Sequence, residues 1–258
     1  MTPVSGRRKR LSLPRRMVCD LLRAARGIPI ISFERRMKLA PVAEARKAVP
    51  NPPPWVLLFV KAFGAVAARR PELRRTYLPF PWPHLWEADE SVASVAVERD
   101  YYGEPGVFFG FFKAPDKLPL PEMMATLNEW KTKPLREVEP FRRAMFFGSF
   151  PYPLRRLLWA YATSWSGSIK ARNFGTFGIS TTGPGGATAL NVICPITTAL
   201  NTGVFAEDWS VDFRLHFDHR VIDGMPAARA LAEIEEHLCT QIVSELRQMA
   251  VLQELTER

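Results

Sequence analysis

The 258-residue sequence has few cysteines, and their arrangement favours neither a disulfide framework nor a metal site. Cys19, Cys194 and Cys239 are widely spaced, and none belongs to a Cys-x-x-Cys pair or lies at zinc-ligand spacing from a histidine. We therefore expect neither structural disulfides nor a bound metal. The corresponding prediction is a reducing, cytoplasmic location.

Long apolar stretches are also missing. The longest, residues 55–68, contains Lys61 and falls short of the roughly 20 residues that a membrane-spanning helix needs. Asp20, Arg23 and Arg26 interrupt the apolar segment after the basic start, so we expect no secretory signal. Residues 55–68 therefore predict a buried core helix, and a membrane partner would be contacted only peripherally.

Internal repeats and low-complexity tracts are absent as well. The 15 glycines and 23 prolines follow no fixed period. With 47% hydrophobic and 24% charged residues, the composition is that of an ordinary globular protein. We predict a basic, flexible arm over residues 1–16 and a single domain over residues 17–258.

Acidic residues are outnumbered, 26 against 35 lysines and arginines, which gives a formal net charge of +9. Part of this excess lies in the predicted arm, at Arg7, Arg8, Lys9, Arg10, Arg15 and Arg16. Such an arm attracts an anionic membrane surface, a phosphorylated cofactor, an acidic carrier protein or nucleic acid without discriminating among them. A solvated leader without any partner explains the charge equally well.

Helical and strand patterns are mixed along the chain, which predicts an α+β fold. Helices are predicted over residues 17–26, 42–49, 55–68 and 122–131, and strands from Pro29 and over residues 91–99, 106–113, 174–180, 190–195 and 209–219. A turn is predicted over residues 182–186. The aromatic and arginine-rich residues 137–170 fit a helix, a lid or a partner-binding face equally well, and we interpret them as an amphipathic insertion.

The strand over residues 209–219 carries the most informative pattern. Five apolar residues alternate with polar ones, namely Trp209, Val211, Phe213, Leu215 and Phe217. Continuing this alternation places His219 on the apolar side and His216 and Asp218 on the other. The pattern therefore predicts a buried, inward-pointing imidazole at the strand end.

A helix is predicted directly after this histidine. Asp223 and Gly224 precede Pro226, and an apolar helical face follows. The macrodipole favours a carboxylate near a helix N-terminus, and glycine permits a tight reversal from strand to helix. The string His-x-x-x-Asp-Gly thus predicts a strand, turn and helix that hold a histidine and a carboxylate at a fixed separation.

These residues carry a family resemblance. The string Asp218-His-Arg-Val-Ile-Asp-Gly224 resembles the signature of the catalytic domain of acyltransferase components of 2-oxoacid dehydrogenase complexes. Chloramphenicol acetyltransferase and the condensation domains of peptide synthetases share its shorter core. Upstream, Gly175-Thr-Phe-Gly-Ile-Ser180 is similar to that family's Gly-Thr-Phe-Thr-Ile-Ser segment, and Arg15-Arg16 with Pro29 resembles its N-terminal pattern. The resemblance implies a chloramphenicol acetyltransferase-like fold, a mixed sheet flanked by helices.

The resemblance also implies roles for three residues. His219 corresponds to the general base that takes a proton from a thiol, hydroxyl or amine acceptor as it attacks a thioester carbonyl. Ser180 corresponds to the serine that donates a hydrogen bond to the tetrahedral oxyanion. Asp223 would orient the turn and pair with Arg15 or Arg16. No metal and no covalently bound cofactor enter this chemistry.

The resemblance also implies a homotrimer with active sites between subunits, so that the His219 and Ser180 of one site come from neighbouring chains. No lipoyl-bearing domain precedes the catalytic region, so we expect a stand-alone enzyme whose donor is acyl-coenzyme A or the phosphopantetheine of an acyl carrier protein. A further hypothesis is that the protein acts as the core of an unusual dehydrogenase complex together with a separate lipoylated partner. The alternative is a non-catalytic binding protein of the same fold that engages a membrane, a carrier protein or, least favoured, nucleic acid.

Overall fold

A computed structural model describes residues 4–181 and 185–256. The helices are α1 (Leu13–Ala25), α2 (Ala40–Lys47), α3 (Trp55–Arg69), α4 (Leu120–Thr132), α5 (Glu139–Ser149), α6 (Tyr152–Ser164), α7 (Gly167–Phe174), α8 (Gly224–His237) and α9 (Val243–Thr256). The strands are β1 (Ile30–Lys38), β2 (Arg75–Leu78), β3 (His84–Glu87), β4 (Val92–Tyr101), β5 (Glu104–Lys113), β6 (Phe177–Thr181), β7 (Thr198–Thr202) and β8 (Ser210–Asp218). A 3₁₀ turn, Pro71–Arg74, precedes β2, and a π-helical turn, Leu238–Ile242, joins α8 to α9.

Within the described residues, six strands form one mixed sheet in the order β1-β8-β7-β6-β4-β5. Pairing is parallel between β7 and β6 and between β6 and β4, and antiparallel between the other neighbours. Strands β2 and β3 form a separate antiparallel ribbon. A mixed sheet with flanking helices confirms the predicted α+β fold class.

One face of this sheet packs against α3, α4 and α8 and forms the hydrophobic core. Helix α3 is apolar around most of its circumference, as expected for a buried helix. Its Phe59 meets Phe213 of β8 with ring centroids 5.3 Å apart, and its Phe63 meets Phe177 of β6 at 4.3 Å. Each fully buried phenylalanine contributes about 1.5–3 kcal/mol by the hydrophobic effect. Core side chains fill this face, so we expect a functional site on the opposite face of the sheet.

The opposite face carries small and polar side chains. Residues paired across neighbouring strands project from the same face of a sheet. Two successive rows of such residues cross this face, Ser94, Gly178, Ala199, His216 and Ser32 in one, and Ser180, Asn201, Arg214 and Glu34 in the next. The sheet thus has a hydrophobic side and a polar side, and Ser180 lies on the polar side.

Helix α1 begins four residues earlier than predicted. Ser12 caps it, its hydroxyl accepting from the Arg15 amide at 3.4 Å, and Pro14 lies in the first turn. Serine before an early proline is a recognised helix start, which the sequence analysis did not use. Arg15 and Arg16 therefore belong to the first turn of α1 rather than to an irregular arm.

Two strand predictions near β7 need correction. Residues 190–195 form no strand, because Pro195 lacks the amide donor that a ladder needs, and the strand is instead Thr198–Thr202. Strand β6 begins at Phe177 rather than at Phe174, because Gly175, with φ of 85°, terminates α7 first. Of the predicted turn over residues 182–186, positions 182–184 lie outside the described residues.

The segment interpreted as an insertion is helical. It contains α5, α6 and the first half of α7, and α6 is exposed along much of its length. Its Arg155 is an exception, because this side chain turns inward to Asp20 of α1. Among the described residues, every helix is too short or too polar to cross a bilayer.

Candidate active site

The turn after β8 holds His219 by its backbone. Strand β8 ends at Asp218, and the His219 amide donates to the Pro29 carbonyl at 3.0 Å, next to the start of β1. The amides of Val221 and Ile222 both donate to the Asp218 carbonyl, at 2.9 and 3.2 Å. These hydrogen bonds fix the position of the histidine backbone between the sheet and α8.

The His219 ring is oriented by one hydrogen bond. Its Nδ1 lies 3.0 Å from the Ile222 carbonyl oxygen, which can only accept. In the neutral ring, Nδ1 therefore carries the proton and Nε2 carries the free lone pair. The side chain is 46% exposed, so the ring lies at an accessible surface. This is the tautomer that a general base needs.

The predicted burial of His219 is wrong for the single chain. The alternation of β8 stops at Asp218, so the ring that follows does not continue the apolar side. His216 and Asp218, predicted to face away from the core, are themselves buried, at 0% and 3% exposed. The reason is that both faces of the strand are covered near its end, where Leu215, His216, Phe217 and Asp218 are all buried.

Asp223 lies beside this histidine at the start of α8. Its Oδ1 is 3.8 Å from His219 Nδ1, too far for a hydrogen bond, and its side chain is 85% exposed. Among the described residues no arginine pairs with it, because α1, which carries Arg15 and Arg16, packs against α5, α6 and β5 at the other edge of the sheet. The predicted ion pair is thus absent within one chain.

Gly224 is required by packing rather than by an unusual backbone angle. A Cβ atom added to it would lie 3.0 Å from Cζ of Phe33 on β1. The glycine therefore lets the N-terminus of α8 approach β1 closely. This contact positions the turn that contains His219.

Ser180 lies near the end of β6 on the polar face of the sheet. It is half-buried, and its hydroxyl forms no hydrogen bond with any residue in the described part of the chain. A hydroxyl without an internal partner is available to donate to a bound group. The structure therefore leaves Ser180 free for the role that the resemblance implies.

Ser180 and His219 lie far apart within one chain. Ser180 is in register with Asn201 of β7, and Asn201 with Arg214 of β8, two strand spacings away. His219 follows five residues after Arg214, so strand geometry separates Ser180 from His219 by about 20 Å. A general base must come within about 3 Å of the proton that it takes. The two groups of a single chain therefore cannot act on one carbonyl.

A buried polar cluster, which sequence reasoning missed, adjoins Ser180 on the same face. His216 Nδ1 is hydrogen-bonded to Ser32 Oγ at 2.7 Å, and Arg214 pairs with Glu34. The His216 Nε2 atom and both side-chain polar atoms of Asn201 are buried without a partner among the described residues. Burial lowers the pKa of His216, which favours the neutral ring. The cluster had no sequence signal, because its members lie on three different strands.

Lys170 of α7 is buried near the turn that follows β8. Its side chain approaches Asp218, Arg220 and Cys194, and Nζ lies 3.5 Å from the Tyr77 carbonyl oxygen. Burial lowers the pKa of Lys170 to about 8, and the attraction of Asp218 offsets part of this shift. A protonated Lys170 at pH 7 is therefore destabilising.

Replacing Lys170 with methionine is expected to stabilise the fold at pH 7 by up to about 3 kcal/mol. Because the folded-state pKa is about 8 and the unfolded value is 10.5, the unfolded state binds more protons between these values. The stability of the native protein therefore rises with pH across this window, and the advantage of Lys170→Met vanishes near its upper end. Denaturant unfolding at pH 7 and pH 10 measures both effects. A variant less stable than the native protein at pH 7 would contradict this account.

Cys194, which lies near Lys170, is not an alternative nucleophile. All three cysteines are free thiols, and burial raises the pKa of Cys194 to about 11. A thiol with that pKa stays protonated at neutral pH and is unreactive. Among the described residues, no group of three or more histidines, cysteines or carboxylates lies close enough to hold a metal.

Comparison with solved structures identifies the fold. A probable dihydrolipoamide acetyltransferase from Listeria monocytogenes 4b F2365 superposes with a TM-score of 0.64 and 15% identity over 95% of each chain. A dihydrolipoamide acetyltransferase from Azotobacter vinelandii gives 0.64 and 19% identity over 95% of this chain and 98% of that one. The cubic core of a pyruvate dehydrogenase complex gives 0.60 and 19% identity over the same shares.

Comparisons by sequence find no matching family model and no matching curated protein. The structural matches are distant in sequence but cover nearly the whole of both chains. They confirm the predicted chloramphenicol acetyltransferase-like fold.

Proposed function

We propose that this protein is an acyltransferase that moves an acyl group from a thioester to a thiol, hydroxyl or amine, with His219 as general base. One observation carries the proposal, namely the exposed ring of His219, whose Nδ1 is hydrogen-bonded to the Ile222 carbonyl so that Nε2 carries the lone pair. The solved structures with this fold include dihydrolipoamide acetyltransferases, which supports acyl transfer as the reaction class.

The chemistry follows from the two side chains. His219 Nε2 takes the acceptor's proton while the acceptor attacks the thioester carbonyl, and the carbonyl oxygen becomes an oxyanion. The Ser180 hydroxyl donates a hydrogen bond to this oxyanion. When the intermediate collapses, the carbon–sulfur bond breaks and the leaving thiolate receives the proton from the imidazolium. No acyl group is attached to the protein at any stage.

The donor is acyl-coenzyme A or the phosphopantetheine of an acyl carrier protein, and an acyl-lipoyl partner has the same reactive group. All three present a thioester at the end of a narrow arm. The basic residues before α1 favour donors and carriers that bear phosphate or carboxylate groups. Asp223, 3.8 Å from His219, adds negative charge beside the imidazolium that forms.

The separation of Ser180 from His219 supports an active site between subunits. The two groups lie at different ends of the polar face, so a head-to-tail contact between chains brings the Ser180 end of one against the His219 end of the next. Head-to-tail contacts that close form rings. We propose a homotrimer with three such sites. One of the solved structures with this fold is a cubic core, which is itself a multi-chain assembly.

A mixture of two inactive variants tests both parts of this proposal. Ser180→Ala is expected to lower kcat by about 10²–10³-fold, and His219→Ala alone by about 10²–10⁴-fold. Chains carrying the two changes, co-expressed in equal amounts, are expected to recover about a quarter of the native activity, because random neighbours form that share of intact sites. The assay follows release of free coenzyme A from acetyl-coenzyme A with a thiol acceptor.

Two results would contradict the shared site. A mixed assembly no more active than the mean of the two single variants excludes a site divided between chains. A monomeric fraction with full activity, identified by sedimentation, excludes it as well. Variants mixed after separate purification serve as the control, since chains that do not exchange should stay inactive.

A second candidate function is membrane binding without catalysis, and the exposed face of α6 favours it. Leu154, Leu157, Tyr161 and Trp165 share one side of the helix and are 42%, 69%, 49% and 51% exposed. Large apolar side chains exposed along one side of a surface helix are typical of peripheral membrane contacts. Flotation with anionic and with neutral vesicles tests this function, and no binding to either excludes it.

A further inference from the structure

A cavity of about 180 Å³ opens on the polar face of the sheet next to Ser180. It lies between strands β4, β5 and β6 and the segment that precedes β7. Its floor consists of Ser94, Gly178 and Ala199, which pair across three adjacent strands. These small side chains leave the space that the cavity occupies.

The walls of the cavity are apolar. Phe109, Phe111 and Phe174 line one side, and Ile193 and Ile196 line the other. None of the described residues that line the cavity is charged, so a carboxylate or a phosphate placed there would lose its hydration without a compensating partner among them. The chemistry of the walls therefore favours a hydrocarbon group.

Few polar side chains line the cavity. The Asn173 amide donates to the Ile169 carbonyl at 2.8 Å, and the Cys194 thiol donates to the Ile196 carbonyl. The hydroxyls of Ser94 on the floor and Ser180 at the border form no side-chain hydrogen bond with the described residues. Of these two hydroxyls, that of Ser180 is the one at which the family resemblance places the thioester carbonyl.

We propose that this cavity holds the acyl chain of the donor, and that the preferred acyl group is an aliphatic chain several carbons longer than acetyl. The inference rests on the proposed function, because Ser180 must contact the thioester carbonyl oxygen. The acyl chain begins at the carbonyl carbon, so a carbonyl held by Ser180 directs the chain into the adjoining cavity. The acceptor approaches from the His219 side and does not enter this space.

The preference is measured with acetyl-, butyryl-, hexanoyl- and octanoyl-coenzyme A at one acceptor concentration. Burial of one methylene contributes about fourfold in binding, the equivalent of ~0.8 kcal/mol. We expect kcat/KM to rise by about this factor per methylene until the cavity is filled. A flat series, or a chain-length dependence that follows an alcohol acceptor instead of the donor, overturns the proposal.

Gly178 offers the decisive variant, because a side chain there fills the cavity from its floor. A Cβ atom added to Gly178 would lie 3.1 Å from Cδ1 of Ile196, a flexible side-chain end that can move. Gly178→Val is expected to lower kcat/KM for hexanoyl-coenzyme A at least tenfold and to leave the acetyl ester within about twofold of the native value. Equal losses for both esters overturn the proposal. Gly178→Ala is the milder variant if the valine protein does not fold.

A binding measurement separates this inference from the proposed function. In a His219→Ala background, calorimetry compares hexanoyl- with acetyl-coenzyme A, with and without Gly178→Val. Tighter binding of the hexanoyl ester that Gly178→Val abolishes supports the cavity even if no ester is ever transferred. Equal affinity for the two esters overturns the cavity even if transfer depends on His219.

Discussion

Replacing His219 with alanine is expected to lower kcat/KM for acyl transfer by about 10²–10⁴-fold, the usual contribution of a positioned general base. The reason is the free Nε2 lone pair, which the hydrogen bond between Nδ1 and the Ile222 carbonyl maintains. An acceptor thiol or hydroxyl without this base must lose its proton to water. Release of free coenzyme A from an acyl-coenzyme A measures the rate.

His84 provides the matched control for this experiment. Its Nδ1 is also bonded to a backbone carbonyl, that of Trp82 at 2.8 Å, but it lies on β3 outside the main sheet. His84→Ala should retain native activity. Equal rates for the native protein and His219→Ala would refute general-base catalysis and would favour the membrane-binding candidate.

Asp20→Asn is expected to destabilise the fold by about 3–5 kcal/mol, because it leaves a buried arginine without its charge partner. Asp20 of α1 accepts from Arg155 of α6 at 2.6 Å, and the two side chains are 3% and 7% exposed. This ion pair is a buried contact between α6 and α1. Chemical denaturation measures the free energy of unfolding.

A double variant separates the cost of an unpaired charge from the cost of lost packing. Asp20→Leu with Arg155→Met replaces the buried pair by apolar side chains of similar volume, and it should recover most of the lost stability. Glu129→Gln is the control, because the exposed pair between Glu129 and Lys133 on α4 is expected to contribute less than about 0.5 kcal/mol. A double variant as unstable as Asp20→Asn would show that packing, rather than charge, is the cause.

The elements around His219 could be predicted because their signals are local. The alternating residues of β8 and the string that ends at Gly224 correctly predicted a strand, a turn and a helix in that order. Helix α3 begins at the predicted Trp55, because a long apolar run follows Pro54 directly. In each case the pattern and its boundary lie within a few neighbouring residues.

The environment of these elements could not be predicted, because it depends on contacts between distant segments. His216 is buried on the polar face of β8 and hydrogen-bonded to Ser32 of β1, and no residue near it in sequence indicates this burial. The polar cluster of Asn201, Arg214 and His216 likewise exists only once the strands are paired. Strand β7 was missed because its five residues, Thr198–Thr202, show no alternation, and all five are buried.

The same limit applies to His219. Its place in sequence indicated a catalytic role, but its exposure follows from where β8 ends and from what lies beyond the single chain. Whether this surface is covered depends on a contact that no single chain contains. The catalytic role itself stays a prediction for the alanine variant to test.

With an active site shared between subunits, as proposed, the distance between Ser180 and His219 would make folding and chemical competence two separate events. A newly synthesised chain can reach its native sheet with both groups in place and still hold them about 20 Å apart, too far to act together. Such a chain would not react with the thioesters around it. Reactivity would then begin when chains meet, so protein concentration and the timing of association would decide when thioesters are consumed.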